Sequence, residues 1–285
     1  MSKVYLNGEY LPADEAKISV LDRGFIFGDG VYEVIPVYGA RLFRAAHHLQ
    51  RLSRGLQEIQ IENPLSEERW IEILEELIQQ NGGGDQSLYL QVTRGIAPRD
   101  HRFPDAINPT IFAMSNPLAE VDLSTQQGIS AVLLEDNRWL RCNIKSISLL
   151  PNILLKQQAY DADGGEALLM RNGFVTEGAA SNIIIVKGDS LITPPQSNHL
   201  LPGITRDLVI ELCRTHNVPH ELRPITREEL FAADEVWVTS STKEIVPIIT
   251  IDDRPVGDGR IGDVWRKMTR IYREYKQAFR EGKVE

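Results

Sequence analysis

Asp22-Arg23-Gly24-Phe25-Ile26-Phe27-Gly28-Asp29-Gly30-Val31-Tyr32-Glu33-Val34 sets three glycines directly ahead of an apolar run that continues to Val37. Glycine at that density points to unusual backbone conformation or a close approach of chains. A dinucleotide-binding loop spaces its glycines Gly-x-Gly-x-x-Gly and opens a helix. Here the spacing differs and the pattern that follows is a strand, so a Rossmann domain is set aside.

Outward from this stretch, the first ~45 residues read as strands and turns, with no helix after the glycines. Asn7-Gly8 between two short apolar runs predicts a tight hairpin. Pro36 suggests a strand end or a bulge. From about His47, Leu49, Leu52, Leu56 and Ile59 recur at helical spacing, and Trp70, Ile73, Leu74 and Leu77 mark a second helix over 67–80, ended by Gly82-Gly83-Gly84. Strands are expected at 87–93 and 110–114. A linker at 119–125, inside the polar, proline-containing stretch 116–127, divides the chain into domains 1–118 and 126–285. The second half predicts strands at 129–134, 167–171, 182–186 and 235–238, with helices at 153–162, 206–215 and 261–279. The order is mixed α and β without regular βαβ alternation.

Composition narrows the function classes. The chain has 285 residues, 42% hydrophobic and 25% charged, with a formal net charge of -9. That is ordinary globular material. Its acidity argues against nonspecific binding to nucleic acid or to anionic membrane. Cys142 and Cys213 are the two cysteines, too few for a disulfide scaffold, and both are expected as reduced thiols. Neither a signal-peptide pattern nor a membrane-spanning run is evident. A cytoplasmic location is the expectation, and no metal-ligand spacing stands out.

Three segments carry chemistry. In Trp139-Leu140-Arg141-Cys142-Asn143-Ile144-Lys145-Ser146 the lysine sits among apolar neighbours, where desolvation would make its amine nucleophilic toward an aldehyde; a surface lysine beside a turn is the alternative. In Thr176-Glu177-Gly178-Ala179-Ala180-Ser181-Asn182 an acid stands among small residues that let a flat ligand approach. Such an acid can hold a protonated ring nitrogen, or merely cap local amides. Leu201-Pro202-Gly203-Ile204-Thr205-Arg206-Asp207 leads a turn into a helix start, a place for a phosphate or an ordinary cap. The hydroxyl run Thr239-Ser240-Ser241-Thr242 offers further donors.

Taken together with Asp22-Arg23-Gly24, Gly28 to Glu33 and His48-Leu49-Gln50-Arg51-Leu52, these segments resemble, in order and almost end to end, the fold-type IV pyridoxal phosphate enzymes. That family includes D-amino acid transaminases, branched-chain aminotransferases and aminodeoxychorismate lyases. The resemblance implies a small N-terminal α/β domain, a larger C-terminal domain containing a β-barrel, and a homodimer whose subunits share active sites. It implies pyridoxal 5′-phosphate joined to Lys145, with Glu177 facing the pyridine nitrogen. The phosphate falls to Arg51, Ile204, Thr205, Ser240 and Ser241, and Leu201 packs on the ring. Without the resemblance, Arg51 reads as a residue on a solvated helix face. His48 keeps a structural reading.

The loop Arg94-Gly95-Ile96-Ala97-Pro98-Arg99-Asp100-His101-Arg102-Phe103-Pro104 separates the members. Arginine offers a rigid fork to a carboxylate and histidine another donor; a basic surface loop is the bland alternative. Arg99-x-His101 is similar to the pair that, with the tyrosine matching Tyr32, traps the substrate α-carboxylate in D-amino acid transaminases, where the partner subunit supplies the loop. Val34 matches a wall of the side-chain pocket, and Tyr32 is expected to hydrogen-bond near Lys145. The expected activity is therefore transamination between D-alanine or D-glutamate and pyruvate or 2-oxoglutarate. The alternatives are a branched-chain L-amino acid aminotransferase, an aminodeoxychorismate lyase and a noncatalytic cofactor-binding homologue.

Overall fold

The computed structural model describes residues 2–119 and 127–284. It divides into two compact units. The first comprises Met1–Glu120, Ile144–Ser148 and Phe279–Glu285, and the second Val121–Asn143 and Leu149–Ala278. The segment bearing Lys145 thus groups with the first unit although it follows residue 126 in the chain. Most of the expected linker, residues 120–125, lies outside the described residues.

The first unit contains β1 (Lys3–Leu6), β2 (Glu9–Pro12), α1 (Arg23–Phe27), β3 (Gly30–Tyr38), β4 (Arg41–Leu42), α2 (Ala45–Glu58), α3 (Glu67–Gln80), β5 (Gln86–Thr93) and β6 (Thr110–Pro117). Its six strands form one antiparallel sheet in the order β2-β1-β6-β5-β3-β4. The Asn7-Gly8 hairpin forms as expected: Leu6 pairs with Glu9, and both turn residues take positive φ, 51° and 107°. Helices α2 and α3 lay Leu49, Leu52, Leu56, Trp70, Ile73, Leu74 and Leu77 into a core with Val31, Ile35, Leu88, Leu90 and Val92 of the sheet. Each such side chain contributes about 1.5–3 kcal/mol by leaving water.

Two expectations for this unit are corrected. The first ~45 residues are not strands and turns alone: a helical turn begins after Asp22, whose side chain accepts from the Gly24 N–H at 2.8 Å, and Gly28 closes it with φ 66°, while strand β3, and no helix, follows Gly30 as expected. Five residues are too few to show a period. Pro36 neither ends nor bulges β3, which stays in register with β5 from Gly30↔Thr93 to Val37↔Gln86. Its carbonyl accepts from Phe43 N on the β4 side. The missing N–H therefore faces that edge and not β5.

The second unit contains β7 (Ile129–Glu135), α4 (Leu150–Asp161), β8 (Glu166–Arg171), β9 (Phe174–Gly178), β10 (Asn182–Lys187), β11 (Ser190–Thr193), α5 (Ile204–Thr215), β12 (His220–Leu222), α6 (Arg227–Phe231), β13 (Glu235–Ser240), β14 (Glu244–Ile251), β15 (Arg254–Pro255) and α7 (Asp263–Arg280). Nine strands make one mixed sheet, β12-β11-β10-β13-β14-β7-β8-β9, with β15 added to β14. It curls as a half-barrel, and the turn after β9 returns the chain so that Gly178 N donates to Ser181 O at 2.7 Å. Parallel β7 and β8 are bridged by α4, and parallel β11 and β12 by α5. Ile183, Ile185, Val236, Val238 and Ile248 form the core on one face. Both cysteines are free and buried, and burial pushes each thiol up to about 11. Among the described residues no helix is long and apolar enough to cross a membrane.

Candidate functional site

In the first unit, residues 144–148 lie along the start of β3. Tyr32 N donates to Lys145 O at 3.0 Å, and Ile147 N to Gly30 O at 3.1 Å. Ile144 anchors the segment in the core. The approach is close: a Cβ on Gly28 would sit 2.5 Å from Ser148 Oγ, and one on Gly30 would sit 3.1 Å from Ile147 Cδ1 and, on the β5 side, 2.6 Å from Val92 O. The side chain of Lys145 is half-buried, with Nζ 4.1 Å from the centroid of the Tyr32 ring. Tyr32 in turn stacks on Tyr89 at 5.5 Å. Tyr32 hydrogen-bonds to Lys145 through its main-chain N–H, and among the described residues no hydrogen bond joins its side chain to the amine.

Alternation along β3 puts Tyr32 and Val34 on one face and Val31, Glu33 and Ile35 on the face that α2 covers. Glu33 is thus an acid in core phase. Arg51 donates to both its oxygens, and His48 Nδ1 lies 2.8 Å from Oε2. Burial works to raise the Glu33 carboxyl, but Arg51 and His48 outweigh it and hold it at about 2. Burial lowers His48, so its neutral ring donates to the carboxylate. Arg51, read from composition as solvated, is in fact buried.

Arg99 and His101 are both exposed and both lie against Phe27, the Arg99 guanidinium 5.5 Å and the His101 ring 5.4 Å from its centroid. Among the described residues no hydrogen bond or ring contact joins either of them to Tyr32 or Lys145 of the same chain. The structure therefore sets both loop residues against one ring, that of Phe27, and does not bring them to the Tyr32 of their own chain.

In the second unit, Glu177 lies near the end of β9 and is buried. Arg138 Nη1 donates to its Oε1 at 2.6 Å; Asn182 Nδ2 and Leu201 N donate to Oε2 at 3.1 and 3.0 Å. Burial pushes the Glu177 carboxyl up to about 7 against the lowering effect of Arg138. Arg138 itself is held well above its ordinary value: burial lowers it, and Asp136 and Glu177 more than compensate. The two partners thus pull in opposite senses. Three donors around one carboxyl select its ionised form, and the ion pair is the state we assign.

Asp136 completes this group, accepting from Arg138 and from Thr176 Oγ1. Asn182 also donates to Leu201 O and stands opposite Thr239 in the β10–β13 register. Gly203 starts α5 without a side-chain cap, and a Cβ there would meet Asn182 Oδ1 at 1.8 Å. Ile204 and Thr205 form the first turn, and both are buried. Ser240 ends β13 and Ser241 follows in the turn to β14, both half-buried.

This half fits a pyridine ring and a phosphate. The uncapped start of α5 presents N–H groups, and Thr239 Oγ1 is buried with no hydrogen-bond partner among the described residues. Glu177, Leu201, Ile204 and Thr205 are brought together in the second unit; in the first, Lys145 meets Tyr32, Val34 shares the Tyr32 face of β3, and Arg51 lies on the opposite face with Glu33. Asp136 and Arg138 were not singled out from the sequence, while Glu33 and Asn182 stood there only within quoted motifs, without a role, and Thr239 only as part of the hydroxyl run. Two signals were present: Glu33 falls on the apolar phase of its strand, and Asp136-x-Arg138 directly follows an apolar strand.

Comparison with known proteins places these features in a family. The family model for amino-transferase class IV matches residues 30–251. A D-alanine aminotransferase of Staphylococcus haemolyticus is 40% identical over 279 residues, covering 98% of this chain and 99% of its own. One from Bacillus licheniformis is 41% identical over 266 residues, 93% of this chain and 94% of its own. Among solved structures, a branched-chain aminotransferase of the thermophilic archaeon Thermoproteus uzoniensis with norvaline superposes with a TM-score of 0.88 at 28% identity, covering 100% of this chain and 96% of that one.

Proposed function

The chain belongs to the class IV aminotransferases, and from that premise we propose that it is a pyridoxal 5′-phosphate-dependent transaminase of D-amino acids. D-alanine and D-glutamate are its donors, and pyruvate and 2-oxoglutarate its acceptors. The observation that carries the reading is the placement of Lys145, tied by its carbonyl to Tyr32 N at 3.0 Å with its amine over the Tyr32 ring. The full-length likeness to D-alanine aminotransferases supports the choice of donor.

Bound pyridoxal 5′-phosphate supplies an aldehyde carbon that carries the amino group and a ring that takes up the electrons of the breaking α-C–H bond. Lys145 would hold that aldehyde, and its Nζ, when free, would serve as the base for the substrate α-proton. Glu177, ionised by Arg138, Asn182 and Leu201 N, would keep the ring nitrogen protonated. Ile204 and Thr205 at the start of α5, with Arg51, Ser240 and Ser241, would hold the phosphate, and Leu201 would pack on the ring. Tyr32, Arg99 and His101 would bind the substrate α-carboxylate, and Val34 would line the side-chain pocket.

The same reading makes the protein a homodimer in the cytoplasm, with each Arg99–His101 pair serving the other subunit. Support comes from the exposed apolar side chains Val20, Leu21, Phe25 and Ile96 of the first unit and Leu150, Ile153 and Leu154 of the second. Light scattering is expected to give twice the chain mass.

A second reading, branched-chain L-amino acid transamination, is favoured by the likeness to the Thermoproteus uzoniensis enzyme. Incubation with D-alanine or L-leucine, each with 2-oxoglutarate, separates the two: turnover of D-alanine alone supports the first, and of L-leucine alone the second. Cofactor spectra recorded against enantiomeric amino acid pairs extend the test to stereopreference.

A further inference from the structure

The loop that presents Arg99 and His101 has no strand or helix of its own, yet a buried ionic clamp grips it. Arg23 is 3% exposed and Arg94 2% exposed, although both are arginines beside a surface loop. Asp29 joins them, accepting from Arg23 Nε at 2.8 Å and from Arg94 Nε and Nη2 at 2.8 and 3.0 Å. Burial works to raise the Asp29 carboxyl, and the two guanidiniums outweigh it, keeping it below the usual carboxylate range.

Two guanidiniums share one carboxylate, so one positive charge is left for main-chain carbonyls to solvate. Arg94 directs its remaining donors inward, to Ile59 O at 2.6 Å and Gln60 O at 3.2 Å. Arg23 directs Nη1 outward, to Asp100 O at 2.5 Å and Arg102 O at 3.4 Å. Asp100 is the residue between Arg99 and His101, and Arg102 follows them. One guanidinium therefore fixes the backbone on both sides of His101. The Arg94 guanidinium lies 3.6 Å from the centroid of the Phe103 ring. The Phe27 ring, already under Arg23 at 4.8 Å, is the shelf on which Arg99 and His101 rest.

The base of the loop is held separately. Asp22 accepts from Thr93 Oγ1 at 2.8 Å and Thr110 Oγ1 at 2.6 Å, and Arg23 N donates to Gly95 O at 2.9 Å. The Asp29 clamp is thus not needed to close the loop; it acts on the tip.

We propose that Arg23 is a positioning residue for substrate recognition, held by Asp29 and acting through the Asp100 and Arg102 carbonyls and the Phe27 shelf to aim Arg99 and His101 at the substrate carboxylate. This rests on the reading that those two side chains bind that carboxylate. Preorganising two donors on an otherwise unstructured loop removes an ordering cost that each binding event would otherwise carry. The clamp touches neither substrate nor cofactor, so its effect falls on binding of the carboxylate.

The test uses the cofactor-loaded full-length protein and the substitutions Arg23→Gln, Arg23→Lys, Phe27→Leu and Arg99→Ala. Arg23→Gln is expected to raise KM for D-alanine about tenfold, the equivalent of one lost hydrogen bond, while kcat falls far less. Arg23→Lys recovers only part of the loss, because an ammonium cannot span Asp29 and two carbonyls as the planar fork does. Amide hydrogen exchange over residues 99–103 rises in Arg23→Gln while the sheet stays protected. Should Arg23→Gln not fold, Phe27→Leu gives the same KM effect in weaker form. Unchanged KM and exchange in Arg23→Gln, with KM raised in Arg99→Ala, would overturn the positioning role and leave the carboxylate reading intact. Unchanged KM in Arg99→Ala overturns both.

Discussion

Arg51 meets Glu33 fork to carboxylate: Nε donates to Oε1 and Nη2 to Oε2, each at 2.7 Å, on a strand face sealed from solvent by α2. Neutralising one member of such a pair leaves the other charge buried without it. Glu33→Gln should therefore lower stability by about 3–5 kcal/mol, read from the denaturant midpoint. The folded carboxyl titrates at about 2 against an ordinary 4.5. Its contribution is thus complete above pH 4.5 and disappears as pH falls toward about 2. Acid unfolding of the Gln variant should lack that part of the transition.

Glu177 is the other buried carboxylate, held ionised by Arg138, Asn182 and Leu201 N although burial works to raise it. Glu177→Gln leaves Arg138 buried without that partner, and the denaturant midpoint of the apo-protein should fall. In the cofactor-loaded protein the same substitution should reduce kcat about a hundredfold, because an amide cannot hold the ring nitrogen charged.

Gly203→Ala places a methyl group 1.8 Å from Asn182 Oδ1. Either Asn182 leaves Glu177 and Leu201 or the start of α5 shifts. Titration of the apo-protein with pyridoxal 5′-phosphate should show affinity reduced at least about tenfold for the loss of one such hydrogen bond. Wild-type affinity would mean that the α5 turn does not hold the phosphate.

The helices α2 and α3 were legible because apolar residues recur at helical spacing over fourteen positions each. The turn α1 spans five residues and shows no period. Strand β14 was unread because Pro247 interrupts Glu244–Ile251. Pairing with β7 begins only at Ile248, so the residue lies before the point where that ladder needs an N–H. Lys145 and Glu177 stood out for their neighbours in sequence. Asp136, Arg138 and Asn182 did not, because their work is done on a residue distant in the chain, and only folding makes that visible. Tyr32 was legible as a neighbour of the amine, but not the mode of contact, since a ring face and a hydroxyl are equally available to a lysine in sequence.

Replacing Arg99 and His101 together with alanine removes both loop donors proposed for the substrate carboxylate. Charge-assisted bonds of this kind contribute about 1.5–3 kcal/mol each. The double variant should lose at least about a hundredfold in kcat/KM for D-alanine. Its cofactor absorbance should match the wild type, since neither side chain contacts Lys145 or Tyr32 of its own chain. Unchanged use of D-alanine would refute the carboxylate trap.

In the proposed reaction Lys145 Nζ is the group that bonds the cofactor aldehyde, and every other role depends on it. Borohydride reduction after incubation with pyridoxal 5′-phosphate, followed by peptide mass mapping, reads that bond directly. We predict one phosphopyridoxyl adduct per chain, on the peptide containing Lys145, and none in Lys145→Ala, which also loses nearly all turnover. A protein that stays colourless and unmodified, or an adduct mapped to another lysine with Lys145→Ala still active, would contradict it.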